Sequence, residues 1–182
     1  MVFTLYSFIE ALWLILPAYA ANGLTPLIGK KGSLHRVDFG KRFMGEPLLG
    51  KGKSWEGLFF GSFVGALVAT IQMLAFPYLP FEMSPLELMV VPMTPLLGLL
   101  LGAGALTGDV AGSFIKRRLG IKRGQSAPLL DQLDFLAGAL LFSGVLVSVK
   151  LEWVIMLFVI TPVIHIAASL IGFRAGIKKN PW

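Results

Sequence analysis

Three carboxylates and five cations crowd residues 108–134, GDVAGSFIKRRLGIKRGQSAPLLDQLD, where one apolar run gives way to the next. Asp109 lies near the end of the first run, Lys116, Arg117, Arg118, Lys122 and Arg123 fill the connector, and Asp131 with Asp134 open the second run. Acids this close to hydrocarbon are costly, so a functional role is the default expectation. On a helix Asp109, Ser113 and Lys116 follow at i, i+4 and i+7 and share one face, while Asp131 and Asp134 at i, i+3 share another. Asp109 lies roughly 10 Å deeper than Lys116 at a rise of about 1.5 Å per residue. Carboxylates so placed suit Mg²⁺, a hard cation held by one or two acids together with substrate phosphates. The competing reading is a set of interhelical ion pairs between these acids and the neighbouring Lys and Arg.

A second candidate is Gly50-Lys51-Gly52-Lys53-Ser54-Trp55-Glu56-Gly57, leading into an apolar run. It is no phosphate loop of the nucleotide-hydrolase type: Gly52 stands where Ser or Thr is required, and no strand is expected before it. Backbone amides at a helix N-terminus beside Lys51, Lys53 and Ser54 still make an anion site. A basic flank that stops membrane transfer is the plain alternative.

These residues need a membrane to position them. Over 182 residues the chain is 55% hydrophobic and only 14% charged, with mean hydropathy +0.77, far from a soluble domain. The expected fold class is an all-α integral membrane protein, one domain over residues 1–182, with five transmembrane helices near residues 2–21, 57–76, 88–112, 135–149 and 151–173. The fourth run is shortest and could begin at Leu129, which would place Asp131 and Asp134 inside it. The first run lacks a small-residue cleavage pattern and is kept as a helix.

Lys and Arg number seven in residues 22–54, none in 77–87, five in 113–130, one at Lys150 and three in the tail (Arg174, Lys178, Lys179). Fifteen of the sixteen fall on one side, and the positive-inside rule makes that side the cytoplasm, with the N-terminus outside and the C-terminus inside. Both acid-bearing helix ends are then cytoplasmic, so the carboxylates can converge. The +6 net charge is this topology signal and implies no nucleic acid partner. With no Cys, thiolate metal sites and cysteine nucleophiles are excluded.

Ser84-Pro85-Leu86-Glu87 reads as a capping box that starts the third helix, which Pro92 and Pro95 should kink. Glycines at every fourth position, Gly57-Gly61-Gly65 and Gly104-Gly108-Gly112, favour close helix packing. His35 reads as a loop residue and His165 as a packed one. Glu10, an intramembrane acid toward the outer half, is expected to make a polar interhelical contact.

Ser113-Phe114-Ile115-Lys116-Arg117, Lys122 and Asp131-Gln132-Leu133-Asp134 resemble the signature of the membrane cytidylyltransferases that make CDP-activated lipids. Gly108-Asp109 and Lys53-Ser54-Trp55-Glu56-Gly57 also fit. The Pro-Gly-His-Gly-Gly portion of the bacterial and eukaryotic pattern is absent, Arg123 replaces an acid and Gln132 an Arg. Asn22 with Pro26, Val37-Asp38-Phe39-Gly40 and the Asp-Gln-Leu-Asp form are similar to the archaeal branch of that family. The resemblance implies a multi-pass cell-membrane enzyme with its site facing the cytoplasm, CTP and a prenylated glycerol phosphate lipid as substrates, and Mg²⁺ as cofactor. It implies Asp109, Asp131 and Asp134 for the metal, Lys53, Ser54, Lys116 and Lys122 for the phosphates, and Asn22, Ser113 and Gln132 for the nucleotide or its support. Transfer to a diacyl lipid phosphate, and from another class a small membrane transporter, are the competing readings; no inverted repeat supports the latter.

Overall fold

Hydroxyl side chains start three of the long helices. A computed structural model of the chain describes residues 3–30, 35–79, 88–125, 127–174 and 176. Thr4 opens α1 (Leu5–Leu24), its hydroxyl accepting from the Ser7 amide at 3.1 Å. Ser54 does the same for α2 (Trp55–Ala75) through the Gly57 amide at 3.2 Å, and Thr94 for α3 (Pro95–Arg118) through the Leu97 amide at 3.1 Å. Each satisfies one of the amide donors that the first turn leaves without a partner. Two further helices follow, α4 (Leu130–Ser143) and α5 (Leu151–Arg174).

The start of α3 corrects an expectation. Residues 84–87 lie outside the described residues, but residues 88–94 are not helical, and α3 begins at Pro95 rather than being kinked there. Proline fits the first helical position because it has no amide to leave unpaired, and it pushes the preceding residue to extended geometry. Thr94 accordingly sits at φ −132° and ψ 155°. The extended backbone ahead of it is satisfied by α1: Trp13 Nε1 donates to the Val91 carbonyl at 3.1 Å, and the Met89 amide donates to Glu10 at 2.6 Å. Irregular backbone at membrane depth requires such partners.

Among the described residues, four helices, α1, α2, α3 and α5, are long and apolar enough to cross a membrane. The fourth of the expected spans is shorter: α4 has 14 residues, about 21 Å at 1.5 Å each. It starts at Leu130, so Asp131 and Asp134 lie inside it.

Among the described residues, α3 packs against α1, α2 and α4, while α5 leans on α1 and α4. Glycine sets both close interfaces. A Cβ on Gly65 would strike the Gly98 carbonyl, and one on Gly102 would lie 2.9 Å from the Gly61 carbonyl. Across α3 and α4, Gly104 and Gly138 stand against each other's carbonyls. Backbones in contact are the use the glycine spacing predicts. Leu14, Ile15, Leu101, Leu136, Trp153 and Leu157 fill the core between these lines of approach. Phe59, Phe63 and Ile71 on α2 and Val159, Val163 and Ile171 on α5 are exposed, as lipid-facing residues must be.

At the end of the bundle away from the acidic motif, Glu10 is buried and fully engaged. One oxygen takes the Met89 amide; the other accepts from Lys150 Nζ at 3.1 Å and Trp153 Nε1 at 2.9 Å. The polar interhelical contact expected of Glu10 is therefore present, and it clamps α1 to the entry of α5.

Candidate active site

The site is assembled where the connector after α1, the end of α3 and the start of α4 meet. The first connector needs its own organiser, and Asp38 provides it. Its side chain is buried; Oδ1 accepts from the Gly40 amide at 2.9 Å, and Oδ2 accepts from Leu49 at 3.2 Å, Gly50 at 3.1 Å and Arg36 at 2.9 Å. Burial alone would raise this carboxyl, but the three amides and the guanidinium outweigh it and hold it below its ordinary value. A short hairpin, β1 (Arg42–Phe43) with β2 (Glu46–Pro47), projects from this knot. The chain then returns alongside its own start, the Val37 amide meeting the Lys53 carbonyl at 3.0 Å and the Trp55 amide meeting the His35 carbonyl at 3.0 Å. His35, expected to be an ordinary loop residue, also contacts Glu56 through Nδ1 at 2.6 Å.

This path delivers Lys53 to the end of α3, where its ammonium pairs with Asp109. Lys116, two turns along from Asp109, pairs with Asp131 across to α4. Asp131 also accepts from the Ala127 amide at 2.9 Å through its second oxygen, which fixes the carboxylate at the mouth of α4. The entry to α4 is bent tightly: the Leu130 amide reaches the Pro128 carbonyl at 2.8 Å around Leu129, whose φ of +65° and ψ of −48° define a strained γ-turn.

Asp134 stands apart from the two ion pairs. One of its oxygens contacts the Phe135 amide at 2.6 Å, while Oδ2 is buried without a hydrogen-bond partner. The charges of Asp109, Lys116 and Lys53 all act on it. Its seat is Gly112 of α3: a Cβ there would run into the Asp134 carboxylate.

The other predicted residues fall around this centre in different ways. Ser113 is buried on α3. The Ser54 hydroxyl is committed as acceptor to the cap of α2, leaving its proton to donate. Gln132 accepts from the Leu129 amide at 3.3 Å and so braces the γ-turn. Asn22 lies in the last turn of α1, half-buried, and Lys122 is exposed in the connector between α3 and α4.

Asp109, Asp131 and Asp134 do not close into a metal cage: among the described residues, no three His, Cys, Asp or Glu side chains come together in that way. The donors nevertheless fit Mg²⁺. All are hard carboxylate oxygens, and Asp134 Oδ2 is a buried acceptor that no donor among the described residues satisfies.

Sequence reasoning missed the tethers that hold the connectors together. Arg118 donates to the Phe43 carbonyl at 2.6 Å and the Pro47 carbonyl at 2.8 Å, and Arg117 Nε donates to the Leu49 carbonyl at 3.3 Å. The only sequence signal was the run of three cations ending α3.

Fold and site together define a multi-pass helical membrane protein with paired acids and lysines gathered at one end of a glycine-packed bundle. Sequence and structure comparisons narrow the class. Residues 3–182 match the CarS-like family of CDP-archaeol synthase. The chain is 44% identical to the CDP-archaeol synthase of Methanococcus aeolicus over 98% of both chains. It is 44% identical to that of Pyrococcus abyssi over 95% of this chain and 97% of the other. A solved structure described as an intramembrane enzyme for archaeal membrane lipid biosynthesis superposes with a TM-score of 0.72 and 36% identity, covering 89% of this chain and 94% of that one. The chain belongs to the CDP-archaeol synthase family.

Proposed function

We propose that the protein transfers the cytidylyl group of CTP to a membrane prenylglycerol phosphate, 2,3-bis-O-geranylgeranyl-sn-glycerol 1-phosphate, forming CDP-archaeol and pyrophosphate. The observation that supports this most is the Asp109–Lys53, Asp131–Lys116 and Asp134 cluster at the end of a lipid-facing bundle, close in the chain to the start of α2 at Ser54.

The lipid phosphate oxygen attacks the α-phosphorus of CTP. One P–O bond forms, the bond bridging the α- and β-phosphates breaks, and its electron pair leaves on pyrophosphate. The nucleophile is already an anion, so no residue has to remove a proton. The barrier is repulsion between two anionic substrates plus charge gathering on the leaving group, which positioning and electrostatics lower. Lys53 and Lys116 supply cations that touch carboxylates in the structure and lie within reach of a triphosphate among them. Lys122 adds a third from the exposed connector. The Ser54 hydroxyl, next to Lys53 in the chain, keeps a proton to donate to a phosphate oxygen. Asn22, Ser113 and Gln132 support the nucleotide. Mg²⁺ held by Asp109, Asp131 and Asp134 would neutralise triphosphate charge and orient the α-phosphate.

The charge asymmetry of the connectors supports a cytoplasmic site, where CTP is available, with the N-terminus outside and the prenyl chains in the bilayer. Purified protein given CTP labelled at the α-phosphate should move label into a prenylglycerol phosphate acceptor and release unlabelled pyrophosphate. No transfer to either an isoprenoid or a diacyl acceptor would overturn the enzyme reading; preference for the diacyl acceptor would overturn the lipid assignment. The single substitutions Val145→Cys and Gly120→Cys should label from outside and inside respectively, and equal outside reactivity would overturn the orientation.

A further inference from the structure

The hairpin of the first connector carries large apolar side chains where the protein itself gives them little to touch. Phe39 and Met44 each lead a tight turn at φ +49° and +52°, followed by Gly40 and Gly45 at +78° and +82°. Asn, Asp or Gly is ordinary at such left-handed positions, and Phe or Met there is strained. Internal packing does not explain the choice, because Phe39 is 75% exposed, Phe43 51% and Met44 83%. Lys41 and Arg42, both exposed, lie between the two turns, and with Glu46 they leave residues 39–46 at +1.

The hairpin's tether says which way it faces. The Arg118 guanidinium donates to Phe43 and Pro47 and sits 5.3 Å from the Phe43 ring and 5.1 Å from the Phe114 ring. At about 100° per residue, Arg118 is roughly 180° around α3 from Asp109, and Phe114 roughly 140°. The same side of α3 carries exposed Leu96, Leu99 and Thr107, and is therefore the side turned to lipid. So the hairpin is fastened on the lipid side of α3, at the level where that helix leaves its apolar span, and not over the site.

We propose that Phe39, Phe43 and Met44, flanked by Lys41 and Arg42, form an interfacial anchor that sinks into the headgroup layer beside α3, with anionic lipid as its partner. Apolar tips recover their exposure by entering the interface, and the cations between them favour an anionic surface. The anchor is continuous with the lipid-facing side of α3, which is what selects a membrane over a soluble partner.

The absence of native Cys permits a direct test on the full chain. Met44→Cys and, as a control in the exposed connector between α3 and α4, Arg123→Cys are labelled with a polarity-sensitive thiol fluorophore. Each is reconstituted into vesicles of zwitterionic lipid alone and of the same lipid mixed with anionic lipid. The Met44 label should emit to the blue of the control and be several-fold less accessible to an aqueous quencher, with the difference larger in the anionic vesicles. Lys41→Glu should remove that anionic increment. A Met44 label as quenchable as the Arg123 label in both vesicles would overturn the proposal. So would a blue shift that appears only at high protein-to-lipid ratio, since the occupant would then be a second copy of the chain.

Discussion

Gly112→Ala is the perturbation that best separates the site from the scaffold. The new methyl would overlap the Asp134 carboxylate, with Cγ at 2.7 Å and Cβ at 2.8 Å. Carbon atoms in contact prefer about 3.5–4.0 Å, so the start of α4 must retreat by roughly 1 Å and the carboxylate must turn as well. Overpacking of this kind costs about 1–3 kcal/mol, while alanine gains about 1 kcal/mol over glycine in a helix interior. The net loss of stability is therefore small. A displacement of about 1 Å in a positioned group can cost on the order of 100-fold in rate. Gly104→Ala is the control on the same interface: its Cβ meets the Gly138 carbonyl, Phe142 Cβ at 2.8 Å and Ala139 Cα at 3.0 Å, a backbone clash at least as severe but with no acid at the contact.

Initial rates of label transfer across a Mg²⁺ titration, together with melting midpoints in the same detergent, are the assay. Gly112→Ala should lose about 100-fold in kcat and need more Mg²⁺ while melting no lower than Gly104→Ala. If both variants lose activity in the same proportion to stability, Gly112 is only a packing residue and the Asp134 seat has no part in catalysis.

Replacing the acids should divide them. Asp134→Asn should abolish transfer with little loss of stability, because Oδ2 has no partner to lose, whereas Asp109→Asn and Asp131→Asn should also cost up to about 3 kcal/mol by stranding Lys53 or Lys116; thermal melts beside activity decide, and near-normal turnover in all three would refute the metal assignment. Lys150→Ala should lower stability by about 1–3 kcal/mol by leaving the buried Glu10 short of a partner, with turnover unchanged at a permissive temperature. Because the Asp38 carboxyl is held below its ordinary 3.8, its contribution is fully present above about pH 4 and is lost as pH falls through its lower, folded value; amide exchange at Leu49 and Gly50 should stay slow down to that range, and Asp38→Asn should speed it at neutral pH.

How far the sequence could be read depended on whether a residue's partner lay near it in the chain. Helix runs are long and uniform, so four of them were legible from length and hydropathy, and the acids were legible because hydrocarbon makes a charge conspicuous. Ser84–Glu87 offered a capping signal, yet Thr94 and Pro95 offer one too, and the backbone hydrogen bonds that keep residues 88–94 extended come from Trp13 and Glu10, more than 70 residues away. Pattern alone could not choose. Asp38 was visible only as part of a resemblance, because its role is to accept amides from Leu49 and Gly50 across a hairpin with strands of two residues. Glu10 and Lys150 are 140 positions apart, and nothing in either neighbourhood announces the other.

The same glycines that let α3 and α4 touch also leave one oxygen of Asp134, Oδ2, without a partner. Where Gly104 meets Gly138 and Gly108 meets the Asp134 backbone, no layer of side chains separates the helices, so no neighbour can extend a donor into the gap. One turn further, at Gly112, the gap widens just enough to hold a carboxylate instead of a backbone carbonyl. Lysines arrive only at its rim, from the long stems of Lys53 and Lys116, and each is taken up by a different acid. A bulkier α3 would have pushed α4 away and opened Asp134 to water, where its oxygen would be satisfied and its field screened. Close packing is thus the means by which a single unpartnered acceptor is kept among cations at the end of the bundle, and it explains why a substitution as small as one methyl is expected to act on chemistry before it acts on folding.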